Sequence, residues 1–174
     1  MKKITAYEIA LSALACAMAV ICLTVGVLSE VLLLTGYMLA AMAMMLPLAK
    51  GSYVGYGLAY VATCILSVLF SAARFWEILP FIMFFGLHPF VNEMQLKIKI
   101  NRWVACGIKA LWFDATAYLI WRFIFDMTTS ISGLDAYMVP IILVVGTLFF
   151  GFYDYCTYRA RDGINRLVAR ISKK

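Results

Sequence analysis

Two opposite charges lie inside the apolar stretch 103–123, WVACGIKALWFDATAYLIWRF. The stretch is long enough to cross a bilayer, where a charged side chain needs a partner or a water-filled cavity. Lys109 and Asp114 are five residues apart, about 140° around a helix, so they do not pair well with each other. Lys109 can extend towards a membrane surface, or pair with Asp154 or a lipid phosphate. Asp114 either faces the bundle interior at the base of a solute cavity or accepts a hydrogen bond from a Tyr or Thr of a neighbouring helix.

A second set of residues combines aromatic rings with opposite charges near the ends of the apolar segments. Its members are Glu30, Arg74, Trp76, Glu77, Tyr118, Trp121, Arg122, Asp126 and Tyr137. Rings offer faces for stacking and charges orient a polar ligand, so this set, together with Asp114, predicts a binding pocket for a polar or zwitterionic small molecule. The alternative is an interfacial belt of aromatic residues with solvated loop charges.

Signatures of catalysis and of metal binding are absent from the sequence. It contains no GxSxG, HExxH or Walker A motif, and its single histidine, His88, has no obvious base–nucleophile partner. The five cysteines form no CxxC pair, which argues against a zinc or thiol redox site. We therefore expect no catalytic residue, no metal, no cofactor and no enzymatic activity in this chain.

The residues above must be positioned by membrane-spanning helices. Of the 174 residues, 65% are hydrophobic and 14% are charged, whereas a soluble domain carries roughly a quarter charged residues. We expect an all-α integral membrane protein with a single domain over 1–174. Apolar length predicts six spans, at about 8–28, 31–49, 52–72, 77–92, 103–122 and 137–157. The span 77–92 is short; Pro80 fits a first helical turn, whereas Pro89 would break or end the helix.

The positive charges predict an orientation for these spans. With the N-terminus inside, the outer segments hold only Arg74 and Arg122 of the 15 Lys and Arg, and Lys109 lies within a span. This bias towards the inner segments predicts that both termini are cytoplasmic. It also accounts for the net charge of +6 without a nucleic acid partner.

The basic tail 158–174 has a helical pattern of its own. Its apolar residues Ile164, Leu167, Val168 and Ile171 are spaced at i, i+3, i+4 and i+7. This pattern predicts a short amphipathic helix along the inner membrane surface. The alternative is a plain basic tail that only fixes the orientation.

Small and flexible residues suggest a docking face near the N-terminus. Ala10, Ala13 and Ala17 share one face of the first span, and the Ala13–Ala17 pair allows another helix to approach closely. In the second span, Met38, Met42 and Met45 form a stripe that suits either a docking partner or packing within the bundle.

This layout, with Ala13 and Ala17 in ALACA, resembles the substrate-binding S components of energy-coupling factor (ECF) transporters, which are vitamin and micronutrient importers of the ABC class. The resemblance covers nearly the whole chain, including FFGLHPFVNEMQLKIKI and the following ALWFD. It implies that the chain resides in a bacterial plasma membrane and captures one solute in its outer half, under a lid formed by the first loop. It also implies that Ala13 and Ala17 dock a membrane T component, and that two ATPase subunits hydrolyse the ATP.

Three other interpretations stay open. A small scaffold protein of the cell-envelope machinery would bind protein partners and no solute. A membrane enzyme acting on lipids would need a polar cluster on the inner side, for which His88, Glu93, Lys109 and Asp154 are the material. A secondary transporter would need inverted repeats or broken helices, and neither is clear in the sequence.

Overall fold

The secondary structure is helical throughout the residues that the computed structural model describes, 4–29, 31–125 and 135–171. The α-helices are α1 (Ala6–Ser29), α2 (Leu33–Ala43), α3 (Met45–Leu48), α4 (Tyr53–Ser71), α5 (His88–Ile98), α6 (Arg102–Ile120), α7 (Asp135–Ile141) and α8 (Thr147–Ile171). A 3-10 helix (Ala72–Ile78) and three π-helical segments (Phe81–Phe85, Trp121–Phe125 and Ile142–Gly146) join them. The predicted all-α class is confirmed for these residues.

Within the described part of the chain, five helical stretches are long and apolar enough to cross a membrane, by length and composition. They are Ala6–Ser29, Tyr53–Ser71, Arg74–Ile98, Arg102–Ile124 and Tyr137–Ile171. The stretch around the predicted span 77–92 is longer than expected, because Pro89 falls in the first turn of α5, where a missing N–H does little harm.

The structure departs further from the prediction at the predicted span 31–49. It is a shorter apolar stretch, Leu33–Leu48, divided into α2 and α3 at Met44. Pro47 explains the division: its ring clashes with the carbonyl of the residue four positions earlier, and α2 ends at that residue, Ala43. The number of spans and their orientation remain predictions.

The chain divides into two compact units. Unit 1 comprises Met1–Glu93 with Thr157–Lys174, and unit 2 comprises Met94–Cys156. The helices α5 and α8 each contribute residues to both units. The single domain over 1–174 stays a prediction.

In unit 1, α1 packs against α2 through two glycines. A Cβ on Gly36 would lie 2.7 Å from the carbonyl oxygen of Cys22 and 3.3 Å from the Cα of Gly26, so the two backbones touch. At its beginning, α1 is held by a reciprocal cap: Thr5 N–H donates to the Glu8 carboxylate (2.8 Å) and Glu8 N–H donates to the Thr5 hydroxyl (3.2 Å). Glu8, the acidic residue in this apolar span, therefore helps to cap the N-terminal end of α1.

The irregular backbone between α4 and α5 is supported by tyrosines. Tyr60 Oη donates to the Ile82 carbonyl at 2.6 Å; Tyr37 donates to the Glu77 carbonyl and Tyr56 to that of Gly86. A 3-10 or π-helical segment leaves carbonyls outside the regular α-helical ladder, and an unsatisfied carbonyl in an apolar environment is costly. The three hydroxyls thus make this irregular segment tolerable inside an apolar bundle.

Helix α8 continues without interruption into the basic tail. Of the predicted apolar stripe, Val168 is buried against Leu11, Ala15 and Leu46, and Ile164 packs at the edge of this cluster. Leu167 and Ile171 are exposed. Part of the stripe therefore packs against unit 1, a role that the sequence did not predict.

Candidate functional site

A groove of about 450 Å³ runs between α1 and α4 in unit 1. Its floor consists of small residues, namely Ser12, Ala13, Cys16, Ala17, Gly55 and Ala59, and exposed side chains such as Ile9, Leu58 and Leu66 border it. The hydroxyl of Ser12 donates to the Glu8 carbonyl at 2.7 Å, which turns its polar atom back onto α1. The groove is therefore almost entirely apolar and shaped to receive an apolar side chain or helix.

Two of the three predicted docking alanines line this groove. Ala13 and Ala17 are exposed on it, and Ala10 is exposed but is not among the lining residues. The methionine stripe is less exposed than these alanines. Met45 is buried and Met38 and Met42 are half-buried, as expected for packing within the bundle.

Three predicted solute-binding residues lie together in unit 1. Arg74 donates from Nε and Nη2 to Oε1 of Glu77, at 2.7 and 2.6 Å. The ring of the exposed Trp76 packs edge-on against Phe75, with ring centroids 5.5 Å apart. The two charged residues meet three positions apart, and the backbone departs from helical geometry at Arg74 (φ −122°, ψ 31°). They neutralise each other within the turn.

The remaining described members belong to unit 2. The rings of Tyr118, in α6, and Trp121, which begins the following π-helical segment, have centroids 5.9 Å apart, and Tyr118, Arg122 and Tyr137 are exposed. Glu30 and Asp126 lie outside the described residues. The predicted set thus falls into two groups in different units, and a single pocket that unites them stays a prediction.

Asp114 is the most buried of the predicted solute-binding residues that the structure describes, with 6% of its surface exposed. Its Oδ2 accepts a hydrogen bond of 2.9 Å from the hydroxyl of Thr147, at the start of α8. Its Oδ1 is buried and has no hydrogen-bond partner among the described residues. The contact with a threonine of another helix matches the structural interpretation of Asp114, while the unpartnered oxygen leaves a binding role open.

Lys109 pairs with Asp154. Its Nζ lies 2.6 Å from Oδ1 of that residue, and both side chains are buried. Of the partners considered for Lys109, Asp154 is therefore confirmed. The pair joins α6 to α8 within unit 2.

Unit 1 contains a polar cluster that sequence reasoning did not assemble. Arg161 donates two hydrogen bonds to the carboxylate of Glu93 (2.8 and 3.1 Å). Asn92 Nδ2 lies 3.5 Å from Nδ1 of the buried His88. A cavity of about 10 Å³, the size of one water molecule, lies beside Asn92, Glu93, Thr157, Arg161 and Asn165. Glu93 and Arg161 are 68 positions apart, so the sequence offered no spacing that would pair them.

Within the described residues, no group of three or more His, Cys, Asp or Glu side chains could hold a metal ion. No family model matches the chain, and no curated protein or solved structure gives a significant match. The function must therefore be proposed from the residues and their geometry.

Proposed function

We propose that this protein is the substrate-binding subunit, or S component, of an ECF-type importer. The observation that carries the proposal is the apolar groove between α1 and α4. A floor of alanine and glycine lets a partner helix approach closely, and in a bilayer such close packing drives helix association. Ala13 and Ala17, which the resemblance implies as docking residues, are exposed on this floor.

The proposed topology has six spans with both termini in the cytoplasm. Leu33–Leu48 would be the second span, although at 1.5 Å per residue it extends for only about 24 Å. This is less than the roughly 30 Å of the hydrocarbon core, so local thinning of the bilayer or flanking residues would make up the difference.

In this topology, each unit has its own candidate binding residues at the outer ends of its spans: Arg74, Trp76 and Glu77 in unit 1, and Tyr118, Trp121, Arg122 and Tyr137 in unit 2. They would select a vitamin or other micronutrient that combines a ring with polar groups. A shared T component and two ATPase subunits would then release it to the cytoplasm.

The first test is affinity purification of the tagged protein from its own host in mild detergent, followed by mass spectrometry. We expect recovery of a second multi-span protein and two ATPases. Recovery of cell-envelope synthesis proteins instead would favour the scaffold alternative. Recovery of lipid alone would favour an enzyme that acts on lipids.

The groove can be tested directly with Ala13→Leu and Ala17→Leu. Filling the floor keeps the partner helix at a distance, so recovery of the T component and ATPases should fall by about tenfold, which corresponds to about 1.4 kcal/mol of association free energy. Gly107→Leu on α6 is the matched control, since the space around Gly107 is open. Equal recovery with all three variants would refute docking at the groove.

A further inference from the structure

We propose that the C-terminal end of α8 binds an anionic phospholipid through four exposed residues, Arg166, Leu167, Arg170 and Ile171, which form the tail edge. The proposal does not depend on the importer assignment, because it concerns the lipid around the protein rather than a solute or a partner subunit. The tail edge also differs from the predicted apolar stripe, of which only two residues are exposed.

The buried side of the tail helix fixes which residues face away from unit 1. Val168 is 1% exposed and packs against Leu11 and Ala15 of α1. Arg166 and Arg170 are each two positions from Val168, which places them about 160° around the helix from it. Both arginines are exposed, so they lie on the side of the helix opposite to its contact with α1.

The two arginines favour a phosphate group as the ligand. They lie about one helical turn apart, where like charges repel each other. Among the described residues, neither guanidinium is paired with a carboxylate; Arg166 Nε donates to the backbone carbonyl of Asp162 in its own helix, at 3.1 Å. A phosphate between the two arginines would relieve the repulsion, because the planar fork of a guanidinium matches phosphate oxygens.

The apolar half of the tail edge favours a lipid over a free phosphate ion. Leu167 and Ile171 are 52% and 53% exposed and lie about one helical turn apart. Around the helix they lie between the arginines and the buried Val168. A helix with arginine beside exposed leucine and isoleucine suits the boundary of a bilayer, where the arginines meet headgroups and the apolar residues meet acyl chains.

The position of the tail edge along the chain places it near that boundary. It ends the 35-residue stretch Tyr137–Ile171, which is apolar enough to cross a membrane. From Tyr137 to Tyr158 this stretch contains one charged residue, Asp154, and the other charges follow. Since a span takes only about 20 residues, the charged end falls at or beyond the headgroups. Basic residues there are attracted to anionic lipid.

The test uses the full-length protein, purified in a nonionic detergent and titrated with phosphatidylglycerol, an anionic lipid, or phosphatidylcholine, a zwitterionic one. Amide hydrogen exchange of residues 162–171 is followed by mass spectrometry. We expect phosphatidylglycerol to slow this exchange and phosphatidylcholine to leave it unchanged. Equal effects of the two lipids, or no effect of either, would overturn the proposal.

Two double variants separate the halves of the tail edge. Arg166→Gln with Arg170→Gln should raise the phosphatidylglycerol concentration for half-maximal protection about tenfold, because both headgroup contacts are lost. Leu167→Ser with Ile171→Ser should also raise it. The matched control is Lys97→Gln with Lys99→Gln, which removes the same charge from exposed residues near the end of α5 and should respond like the wild type.

Other ligands of the same charge give distinct outcomes. Inorganic phosphate and a polyglutamate peptide are titrated in the same way, and neither should protect residues 162–171. Protection by polyglutamate but not by phosphatidylglycerol would indicate an acidic protein partner, and protection by inorganic phosphate alone a simple anion site. Either result would overturn the lipid proposal and would leave the importer assignment unaffected.

Discussion

Lys109 and Asp114 lie on one helix, yet the protein accommodates their buried charges in different ways. Lys109 meets a carboxylate of α8 at 2.6 Å, whereas the hydrogen bond that Asp114 accepts from the described residues comes from a hydroxyl, at 2.9 Å. A buried ion pair contributes little net stability compared with apolar residues, but breaking one leaves an uncompensated charge. Lys109 is therefore expected to be structural.

Lys109→Met tests this at the residue scale. The variant removes the ammonium that lies 2.6 Å from the buried Asp154 carboxylate, so we expect a loss of about 3–5 kcal/mol in the free energy of unfolding. The double variant Lys109→Met with Asp154→Leu removes both charges and should recover most of the loss. Thermal unfolding in detergent measures both. A single variant as stable as the wild type would mean that the ion pair is not formed.

At the scale of elements, close backbone contacts and tyrosine hydrogen bonds join helices of unit 1. Gly26 and Gly36 bring α1 and α2 into contact, and Tyr37, Tyr56 and Tyr60 hold the carbonyls of the irregular segment before α5. In an apolar solvent, close packing and satisfied backbone groups replace the hydrophobic effect as the source of helix association.

Gly36→Ala tests the contact between α1 and α2. The added methyl group would lie 2.7 Å from the Cys22 carbonyl oxygen, so the helices must separate, and we expect a loss of about 1–3 kcal/mol. Gly57→Ala on α4 is the matched control. The space beside Gly57 is open, and alanine is the better helix former, so this variant should be neutral or more stable by up to about 1 kcal/mol. Comparable unfolding midpoints for the two variants would contradict the close approach.

At the scale of the whole molecule, the C-terminal part of the chain packs against its N-terminal part within unit 1. The last part of α8 belongs to unit 1, where Arg161 pairs with Glu93 and Val168 packs against Leu11, Ala15 and Leu46. The basic end of the chain is thus built into the unit that carries the α1–α4 groove.

Arg161→Glu tests how much the ion pair between Arg161 and Glu93 stabilises unit 1. It places two carboxylates together, and since the pair is more than two-thirds buried, we expect a loss of about 1–3 kcal/mol. The exchange Glu93→Arg with Arg161→Glu should restore much of it. Arg166→Glu is the control, because the Arg166 side chain is exposed and bonds the carbonyl of Asp162 in its own helix. A loss with Arg166→Glu as large as that with Arg161→Glu would indicate a general effect of tail charge.

Much of this protein was predictable from local chemistry. Apolar length predicted helices at the positions of the five stretches that could cross a membrane, because a bilayer selects for length and hydrophobicity residue by residue. The Ala13–Ala17 spacing predicted a small-residue face, which the groove contains. Helical periodicity also indicated that Lys109 and Asp114 would not pair with each other.

Tertiary structure decided the partners. That Lys109 meets Asp154, Asp114 meets Thr147 and Arg161 meets Glu93 depends on helix contacts across 33 to 68 positions, which no local spacing encodes. The same holds for the glycine contact between α1 and α2 and for the tyrosines that bond the irregular segment. Composition and periodicity determine which face of a helix is apolar, but only the packing of one helix against another determines which buried polar atoms are satisfied, and Asp114 Oδ1 stands out for that reason.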